Sequence, residues 1–310
     1  MSGSSSQARR AAVCGAGFIG RSLIEHLLRA NVDVSVLDRK ACPTELVGRV
    51  RWLRGDFTDE EVLRAALMDA DVAYHLVSTT VPGDERTGMI TELSDNIFAT
   101  IRFIDICIAL RVPRIVFVSS SSVYGMQEHT PITENAATNP ISSHGIHKLT
   151  IEKYLLLYRF DRDIDVCIIR LSNPYGPGQN PHGRQGFVAI AIGKIIEGKP
   201  ILLRALGGPI RDFIFIDDVS RALMLVGTTE RVPPVLNLGT GEGHSLADVV
   251  RTLEEQLGRP LPTTDAPLRK ADIPTSVLDV SLIRQTLGFV PVVSLRDGIQ
   301  LTLRHWGLCG

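Results

Sequence analysis

The sequence predicts an α/β fold in which a doubly wound parallel sheet is followed by a smaller C-terminal α/β domain. Short β-branched runs alternate with segments of helical period through the first half of the chain, which is typical of parallel sheets covered by helices on both faces. After Leu171 the composition of the sequence changes, and proline and glycine become frequent at 173–186 and 207–209. The 310 residues suffice for one large domain or two closely joined ones.

The strands of the predicted sheet are short and rich in aliphatic residues. They lie at Ala11–Cys14, Val32–Leu37, Val50–Arg54, Val72–Val77, Arg114–Ser119 and Val166–Leu171. Helical periodicity predicts the helices that connect these strands. The helices lie at Ile19–Arg29, at Glu60–Met68, at Glu92–Leu110 and in a long segment that starts near His144.

The boundary between the two predicted domains falls after residue 172. Residues 1–172 form the sheet domain, and residues 173–310 form the smaller domain. Short helices of the smaller domain alternate with extended pieces. These helices lie at Phe187–Glu197, Ser245–Leu257 and Ser281–Leu287. Val235–Leu238 reads as a strand that rejoins the main sheet.

Composition excludes several classes of function. The formal net charge is -1 and no basic run is interleaved with aromatic residues, so we expect no nucleic-acid partner. No apolar run approaches the roughly 18 residues that a membrane span needs, so we expect no membrane partner. The five cysteines form no CxxC pair and no Cys/His cluster at metal spacing. We therefore expect no metal site and a location in the reducing cytoplasm.

A glycine-rich turn connects the first strand to the first helix. Gly15–Gly20 reads G-x-G-x-x-G, which lets the backbone approach a pyrophosphate at the helix N-terminus. Asp38 ends the second strand about 20 residues further on, where a carboxylate accepts hydrogen bonds from ribose hydroxyls and repels a 2′-phosphate. The pattern predicts a Rossmann-type site for NAD rather than NADP, a preference that the adjacent Arg39 weakens slightly.

Two later segments carry motifs that are interpreted together with the glycine-rich turn. Ser119–Gly125 reads SSSSVYG after the fifth strand, and Pro140–Leu149 reads PISSHGIHKL. With the glycine-rich turn, they resemble the extended short-chain dehydrogenase/reductases, which include NAD-dependent nucleotide-sugar epimerases and dehydratases. The resemblance covers nearly the whole chain. It departs from the family at Cys14, where the first glycine of G-x-x-G-x-x-G belongs, and at His144, where the tyrosine of Y-x-x-x-K belongs.

The resemblance implies that NAD contacts extend well beyond the glycine-rich turn. Asp56 would contact the adenine amino group, and Asn96 would support the backbone of the active site. The implied NAD-binding residues are Gly15, Gly17, Phe18, Ile19, Gly20, Asp38, Arg39, Asp56, Phe57, Leu76, Val77, Ser78, Asn96, Val118, Lys148 and Leu171.

The resemblance implies Ser120, His144 and Lys148 as the catalytic residues. In the family, tyrosinate takes a proton from a sugar hydroxyl while hydride leaves for the nicotinamide, and the lysine holds the nicotinamide ribose. Histidine can also be the base, because its reference pKa is about 6.5 and a neighbouring lysine would lower it by like-charge repulsion. Imidazole reaches less far than phenol, which leaves three alternatives. His144 acts directly or through a water, Tyr124 transfers the proton instead, or activity is lost.

Three further segments resemble the family's substrate-binding segments, in the same order along the chain. They are Arg170–Pro177, Arg211–Val219 and Arg269–Pro274. In the family an asparagine and two arginines of these segments bind the diphosphate, which suits the charge and oxygen geometry of that group. The implied contacts to a nucleotide-sugar are Ser121, Ser122, Asn173, Gln179, Arg211, Arg269 and Asp272.

The positions after Ser120 favour one reaction of the family. The dehydratase and decarboxylase branches carry acidic residues there, whereas this chain has Ser121 and Ser122. The resemblance therefore implies 4-epimerisation of a UDP-sugar through a 4-keto intermediate, with NAD recycled in place. A reductase or unusual dehydratase acting on a modified sugar nucleotide is one alternative, and a catalytically silent NAD- or nucleotide-binding protein is another. The resemblance also implies a homodimer through Glu92–Leu110 and Gly145–Phe160.

Overall fold

A computed structural model describes residues 10–78, 89–204, 207–267 and 272–309 of the chain. Its strands, in chain order, are β1 (Arg10–Cys14), β2 (Asp33–Asp38), β3 (Arg51–Arg54), β4 (Val72–His75), β5 (Arg114–Ser120), β6 (Asp165–Leu171), β7 (Asn173–Tyr175), β8 (Ile201–Arg204), β9 (Ile210–Arg211), β10 (Phe213–Phe215), β11 (Val235–Leu238), β12 (His244–Ser245), β13 (Thr263–Ala266) and β14 (Thr275–Ser276).

The helices alternate with these strands. They are α1 (Phe18–Arg29), α2 (Glu60–Leu67), α3 (Met89–Leu93), α4 (Ala99–Ala109), α5 (Ser143–Arg162), α6 (Phe187–Ile196), α7 (Ile216–Thr228), α8 (Leu246–Leu257), α9 (Ser281–Leu287) and α10 (Leu295–His305). Shorter 3₁₀ turns cover Thr44–Leu46 and Ser121–Val123, and a π-helical turn covers Ser94–Phe98.

The main sheet has seven parallel strands in the order β11-β6-β5-β4-β1-β2-β3. This order confirms the predicted doubly wound sheet. The strand order reverses between β1 and β4, and in such sheets a ligand binds at the carboxyl ends of the strands beside that switch point. β4 ends at His75, two residues earlier than predicted, because its neighbour β1 turns away at Gly15.

Apolar side chains fill both faces of the main sheet. One layer packs under α1 and α7 and includes the fully buried Leu23 and Leu223, and the other packs under α2, α4 and α5 and includes Phe103. The Ser220 hydroxyl of α7 donates to the Ser22 hydroxyl of α1 at 2.8 Å. β11 returns to the main sheet and α7 packs beside it, whereas the described strands β7 to β10 and β12 to β14 lie outside that sheet, in the smaller part of the molecule.

The smaller part contains three short sheets. β7 pairs with β10, β9 lies between β12 and β14, and β8 pairs with β13. The pairing of β7 with β10 aligns Asn173 with Phe213. Asn173 therefore lies close to Arg211, which precedes Phe213 by two residues. Among the described helices, none has the length and apolar character that crossing a membrane takes.

The predicted helix Glu92–Leu110 is interrupted by the π-helical turn. Polar side chains bond into the helix backbone there. The Asn96 amide donates to the Glu92 carbonyl at 2.8 Å, and the Thr100 hydroxyl donates to the Asn96 carbonyl at 2.5 Å. A π-helical turn has a wider hydrogen-bond spacing than an α-helix, and this is not visible in a hydrophobic pattern.

Candidate active site

The glycine-rich turn brings the end of β1 against the start of α1. Gly15 has a φ of +98°, a conformation that favours glycine, and its amide donates to the Leu37 carbonyl at 2.9 Å. A Cβ at Gly20 would lie 2.0 Å from the Gly15 carbonyl oxygen, so only glycine permits this approach. A Cβ at Gly17 would meet no atom within 4 Å, which leaves that side of the turn open.

A cleft of about 350 Å³ lies at this turn. Nine of the predicted NAD-binding residues line it, namely Gly15, Gly17, Asp38, Arg39, Asp56, Phe57, Leu76, Val77 and Ser78. Six residues that were not predicted also line it, namely Ala16, Leu37, Lys40, Gly55, Thr58 and Asp95. All six adjoin a predicted residue in the chain, so proximity in the chain was the signal for them.

The remaining predicted cofactor residues lie on neighbouring elements and do not line the cleft itself. Phe18, Ile19 and Gly20 form the first turn of α1, and Asn96 lies in the π-helical turn. Val118 and Leu171 lie near the ends of the adjacent strands β5 and β6.

The Asp38 carboxylate ties the two sides of the cleft together. One oxygen accepts a hydrogen bond from the Ala16 amide at 2.7 Å, and the other accepts from the Lys40 amide at 2.8 Å. The carboxylate is therefore held by backbone groups on both sides. Its position at the end of β2 is the one at which a ribose hydroxyl would meet it.

Asp56 is held in its ionised form at the same cleft. Hydrogen bonds from the Thr58 amide at 2.9 Å and the Thr58 hydroxyl at 2.7 Å lower the pKa of Asp56, and Arg39 at 4.0 Å acts in the same direction. The neighbouring Phe57 is buried, with its ring centroid 4.7 Å from that of His75. Phe57 therefore also packs into the core.

The predicted serine segment and the start of α5 pack directly on each other. The Ser120 hydroxyl accepts from the Ser122 amide at 3.1 Å and begins the Ser121–Val123 turn. A Cβ at Gly145 would lie only 2.7 Å from the Ser122 carbonyl oxygen. This close approach explains why glycine follows His144, and it sets His144 beside the serine turn.

His144 and Lys148 lie one helical turn apart on α5, and both are buried, with exposed fractions of 8 % and 7 %. The Lys148 ammonium donates to the Val118 carbonyl at 2.8 Å and lies 4.6 Å from the centroid of the Phe117 ring. Burial lowers the pKa of Lys148 to about 8, although the charge of Glu152 acts in the opposite direction.

A buried polar network that was not predicted lies behind this pair. Arg170 makes a two-pronged ion pair with Glu152, with its Nη2 atom 2.8 Å from Oε2. The Ser119 hydroxyl donates to the same carboxylate at 2.5 Å. From the sequence, Arg170 was identified only as the first residue of a segment that resembles the family's substrate-binding segments. No sequence pattern indicates that it pairs with Glu152. The network joins α5 to β5 and β6.

Tyr124 belongs to this network and not to the surface of the cleft. Its hydroxyl donates to the Asn237 side-chain oxygen at 2.6 Å and accepts from Arg170 at 3.1 Å. Burial raises the pKa of Tyr124 to about 12, although the nearby Arg170 charge acts in the opposite direction. The tyrosine therefore keeps its proton at neutral pH, and its hydroxyl is engaged in the core.

The predicted substrate residues of the smaller part gather around β7 and β9. The Asn173 amide donates to the Asp212 carbonyl at 3.1 Å, and the Arg211 guanidinium donates to the Ile210 carbonyl at 2.8 Å. Burial lowers the pKa of Arg211, while the charge of Asp272 raises it. Asp272 also lies 3.9 Å from Arg204. These residues form a polar group of mixed charge.

Two further predicted substrate residues are Gln179, which lies apart from that polar group, and Arg269. Gln179 donates to the Pro174 carbonyl at 3.3 Å and packs against Gly186, where any Cβ would collide with its amide. Arg269 lies outside the described residues.

Asp212, inside the predicted Arg211–Val219 segment, has a structural position that the motif does not reveal. Its carboxylate accepts hydrogen bonds from the Thr240 amide and hydroxyl, both at 2.8 Å, and from the Gly241 amide at 3.2 Å. Burial raises the pKa of Asp212, while these hydrogen bonds lower it. The carboxylate fixes the loop after β11.

Comparison with known proteins agrees with this geometry. The family model described as the NAD dependent epimerase/dehydratase family matches residues 11–239. The chain is 30 % identical over 305 residues to the UDP-glucose 4-epimerase of Mycolicibacterium smegmatis, covering 94 % of this chain and 96 % of the relative.

Solved structures show the same likeness. The UDP-glucose 4-epimerase of Thermotoga maritima with UDP-glucose is 28 % identical with a TM-score of 0.89, covering 96 % of this chain and 98 % of the other. MoeE5 in complex with UDP-glucose and NAD is 31 % identical with a TM-score of 0.87, also covering 96 % and 98 %.

Proposed function

Because this chain belongs to the NAD dependent epimerase/dehydratase family and is an enzyme that uses NAD, we propose that it epimerises a UDP-sugar at C4 with His144 as the base. The observation that supports this most is the position of His144. It lies one turn before the buried Lys148, on a helix whose start packs against the Ser120–Ser122 turn. The serines at 121 and 122 supply no carboxylate for chemistry at C5 and C6, which favours epimerisation over dehydration.

The residues around the cleft fit NAD. The glycine-rich turn leaves room beside Gly17 for a pyrophosphate at the start of α1. Asp38 would bind the adenosine ribose, Asp56 the adenine amino group and Lys148 the nicotinamide ribose. The other cofactor residues named from the sequence would complete this site. Bound NAD would accept the hydride from the sugar carbon and return it to the other face.

The chemical step requires a hydrogen bond to the reacting oxygen and a base, both from the protein's own side chains. Ser120 would hydrogen-bond the reacting oxygen, and a ring nitrogen of His144 would take the proton of the 4-hydroxyl, directly or through a water. The same proton returns when the keto group is reduced. Tyr124 is not available for this step, because its hydroxyl is bonded to Asn237 in the core.

The polar group around β9 would bind the substrate. Asn173 and Arg211 would bind the diphosphate, and Asp272 with Arg269 would complete the nucleotide site. Gln179 would contribute only after a change in its present contact with Pro174. Ser121 and Ser122 would face the sugar, since the turn that carries them adjoins His144.

The reaction can be tested by following UDP-sugars by ¹H NMR without added cofactor. We expect UDP-glucose, UDP-N-acetylglucosamine or UDP-glucuronic acid to be converted into its C4 epimer. Net consumption of added NADH would indicate a reductase, and loss of water from the sugar would indicate a dehydratase. Tight NAD binding with no conversion of any sugar would indicate a silent binding protein.

Replacing Asp38 by alanine is expected to weaken NAD binding by about 10- to 100-fold, since hydrogen bonds to a charged carboxylate contribute about 1.5–3 kcal/mol. The change also removes the contact to the Ala16 amide that shapes the turn. Calorimetric titration with NAD measures the effect. Asp33→Ala, at the exposed opposite end of β2, is the control. Equal affinity in wild type and Asp38→Ala would remove Asp38 from the site.

We also propose that two copies associate through α5 and the helical segment that runs from α3 through α4. Both expose large apolar side chains on the surface, and Phe160 and Ile90 are 87 % and 83 % exposed. Ile146, Leu157 and Phe160 recur along α5 at intervals that keep them near one face. A second copy would cover this surface, as the family resemblance implies.

Replacing Leu157 by glutamate is expected to convert the dimer into a monomer, because a charge would be buried at the centre of the apolar surface. Light scattering coupled to size-exclusion chromatography measures the mass. Val292→Glu changes a more exposed apolar residue elsewhere, 74 % against 50 % for Leu157, and should leave the dimer intact. A wild-type protein that runs as a monomer at micromolar concentration would contradict the proposed interface.

We propose a cytoplasmic location because the cysteines are unpaired. All five are free thiols, and Cys14, Cys107 and Cys167 are buried. Unpaired cysteines are typical of proteins in a reducing compartment.

A further inference from the structure

A buried carboxylate and a buried imidazole face each other where α3 packs near the start of α5. The Glu92 Oε2 atom lies 3.8 Å from the Nδ1 atom of His147, and the two side chains are only 4 % and 5 % exposed. Nδ1 of His147 has no hydrogen-bond partner among the described residues. The pair is within ion-pair distance and requires only a small approach to form a hydrogen bond.

Burying this carboxylate is costly unless a positive charge compensates for it. Among the described residues no Arg or Lys lies within ion-pair distance of Glu92. His147 is a weak counter-charge, because burial lowers its pKa, although the Glu92 charge raises it in part. Among the described residues, His147 is therefore the one Arg, Lys or His side chain within ion-pair distance of the Glu92 carboxylate.

His147 lies next to Lys148 and three residues after His144. Residues three apart on a helix are neighbours, with Cβ atoms about 5–6 Å apart. When His144 takes a proton, its imidazolium and the Lys148 ammonium become two cations one turn apart in a buried site. Glu152, the buried carboxylate of α5 itself, is already paired with Arg170.

We propose that Glu92, acting through His147, stabilises the imidazolium that His144 becomes when it accepts the proton of the sugar 4-hydroxyl. The inference rests on the proposed function, in which His144 is the base. The proton passes from the hydroxyl oxygen to the imidazole nitrogen, the C4–O bond becomes a carbonyl, and the hydride leaves for NAD. Glu92 and His147 are positioning residues, since neither needs to touch the substrate.

The test compares Glu92→Gln with wild type by NMR titration of histidine side chains in the NAD-bound protein. The His144 signal is assigned by its loss in His144→Phe. Removing the Glu92 charge is expected to move the His144 titration midpoint to lower pH by at least about 0.5 unit, because the imidazolium loses a nearby anion. The other buried titratable or charged groups of α5, of α4 and of the strands beside them are all unchanged in the variant, namely Lys148, Glu152, Cys107, Cys14, Tyr74, His75, Arg114, Cys167 and Arg170.

Turnover provides a second readout. Glu92→Gln is expected to lower kcat about tenfold with a change in KM of less than about twofold, and to move the acid limb of the kcat profile to lower pH. Glu92→Asp, which keeps the charge, should stay close to wild type in both measurements. Glu61→Gln, on the exposed surface of α2, should change neither.

An unchanged His144 midpoint in Glu92→Gln would overturn the inference, and so would an equal shift in Glu92→Gln and Glu92→Asp, which would indicate a packing effect. The midpoint measurement needs no turnover. A protein that epimerises no UDP-sugar would therefore contradict the proposed function while the influence of Glu92 on His144 is still decided.

Discussion

Replacement of His144 by phenylalanine is expected to lower kcat by about 10²–10⁴-fold while NAD stays bound, because a positioned general base contributes about that much. Phenylalanine fills a similar volume in this buried position and cannot accept a proton. The cleft around the glycine-rich turn is formed by other elements, so cofactor affinity should change little. Steady-state kinetics and NAD titration of the same preparation measure the two effects.

Two further substitutions make this result specific. His305→Phe changes an exposed histidine of α10 and should leave kcat unaltered. His144→Tyr should keep substantial activity, since phenol reaches further than imidazole and Lys148 is in place to lower its pKa. Full activity in His144→Phe would show that another group is the base.

The second large effect is expected from Arg170→Met, on stability. The substitution leaves the Glu152 carboxylate buried without its partner, which costs about 3–5 kcal/mol of unfolding free energy. The hydrogen bond from Arg170 to Tyr124 is also lost. Equilibrium denaturation with urea, followed by circular dichroism, measures the change.

Arg64→Met is the matched control for Arg170→Met. Arg64 pairs with Glu60 one turn away on α2, and both side chains are about half exposed. Such surface pairs contribute less than about 1 kcal/mol. If the two substitutions destabilised the protein equally, the buried network would not stabilise the packing of α5 as its geometry indicates.

The main sheet could be predicted from sequence because parallel strands and their helices have distinct periodicities. Its strand order was not predicted and is seen only in the structure. The π-helical turn could not be predicted, since a hydrophobic pattern does not show where the hydrogen-bond spacing of a helix widens. α7 and α10 were not predicted either, although the structure contains both.

Candidate site residues were predictable where a short motif holds them within one turn. Gly15–Gly20 and the His144–Lys148 pair are of this kind, whereas Asp38 was predicted from its position at the end of the second strand, about 20 residues after the glycine-rich turn. Contacts between distant segments were not predictable. The Glu92–His147 pair joins residues 55 positions apart, and the Glu152–Arg170 pair joins a helix to a strand. A single sequence contains no local pattern that specifies such pairs.

The central claim is that the enzyme moves a hydride off C4 and returns it to the same carbon from its own bound cofactor. The most direct measurement uses a UDP-sugar that carries deuterium at C4, with no NAD added, and follows both epimers by NMR and mass spectrometry. We predict that the epimer forms with its deuterium retained at C4. An epimer that has lost the label to solvent, or a substrate that stays unchanged beside bound NAD, would contradict the account.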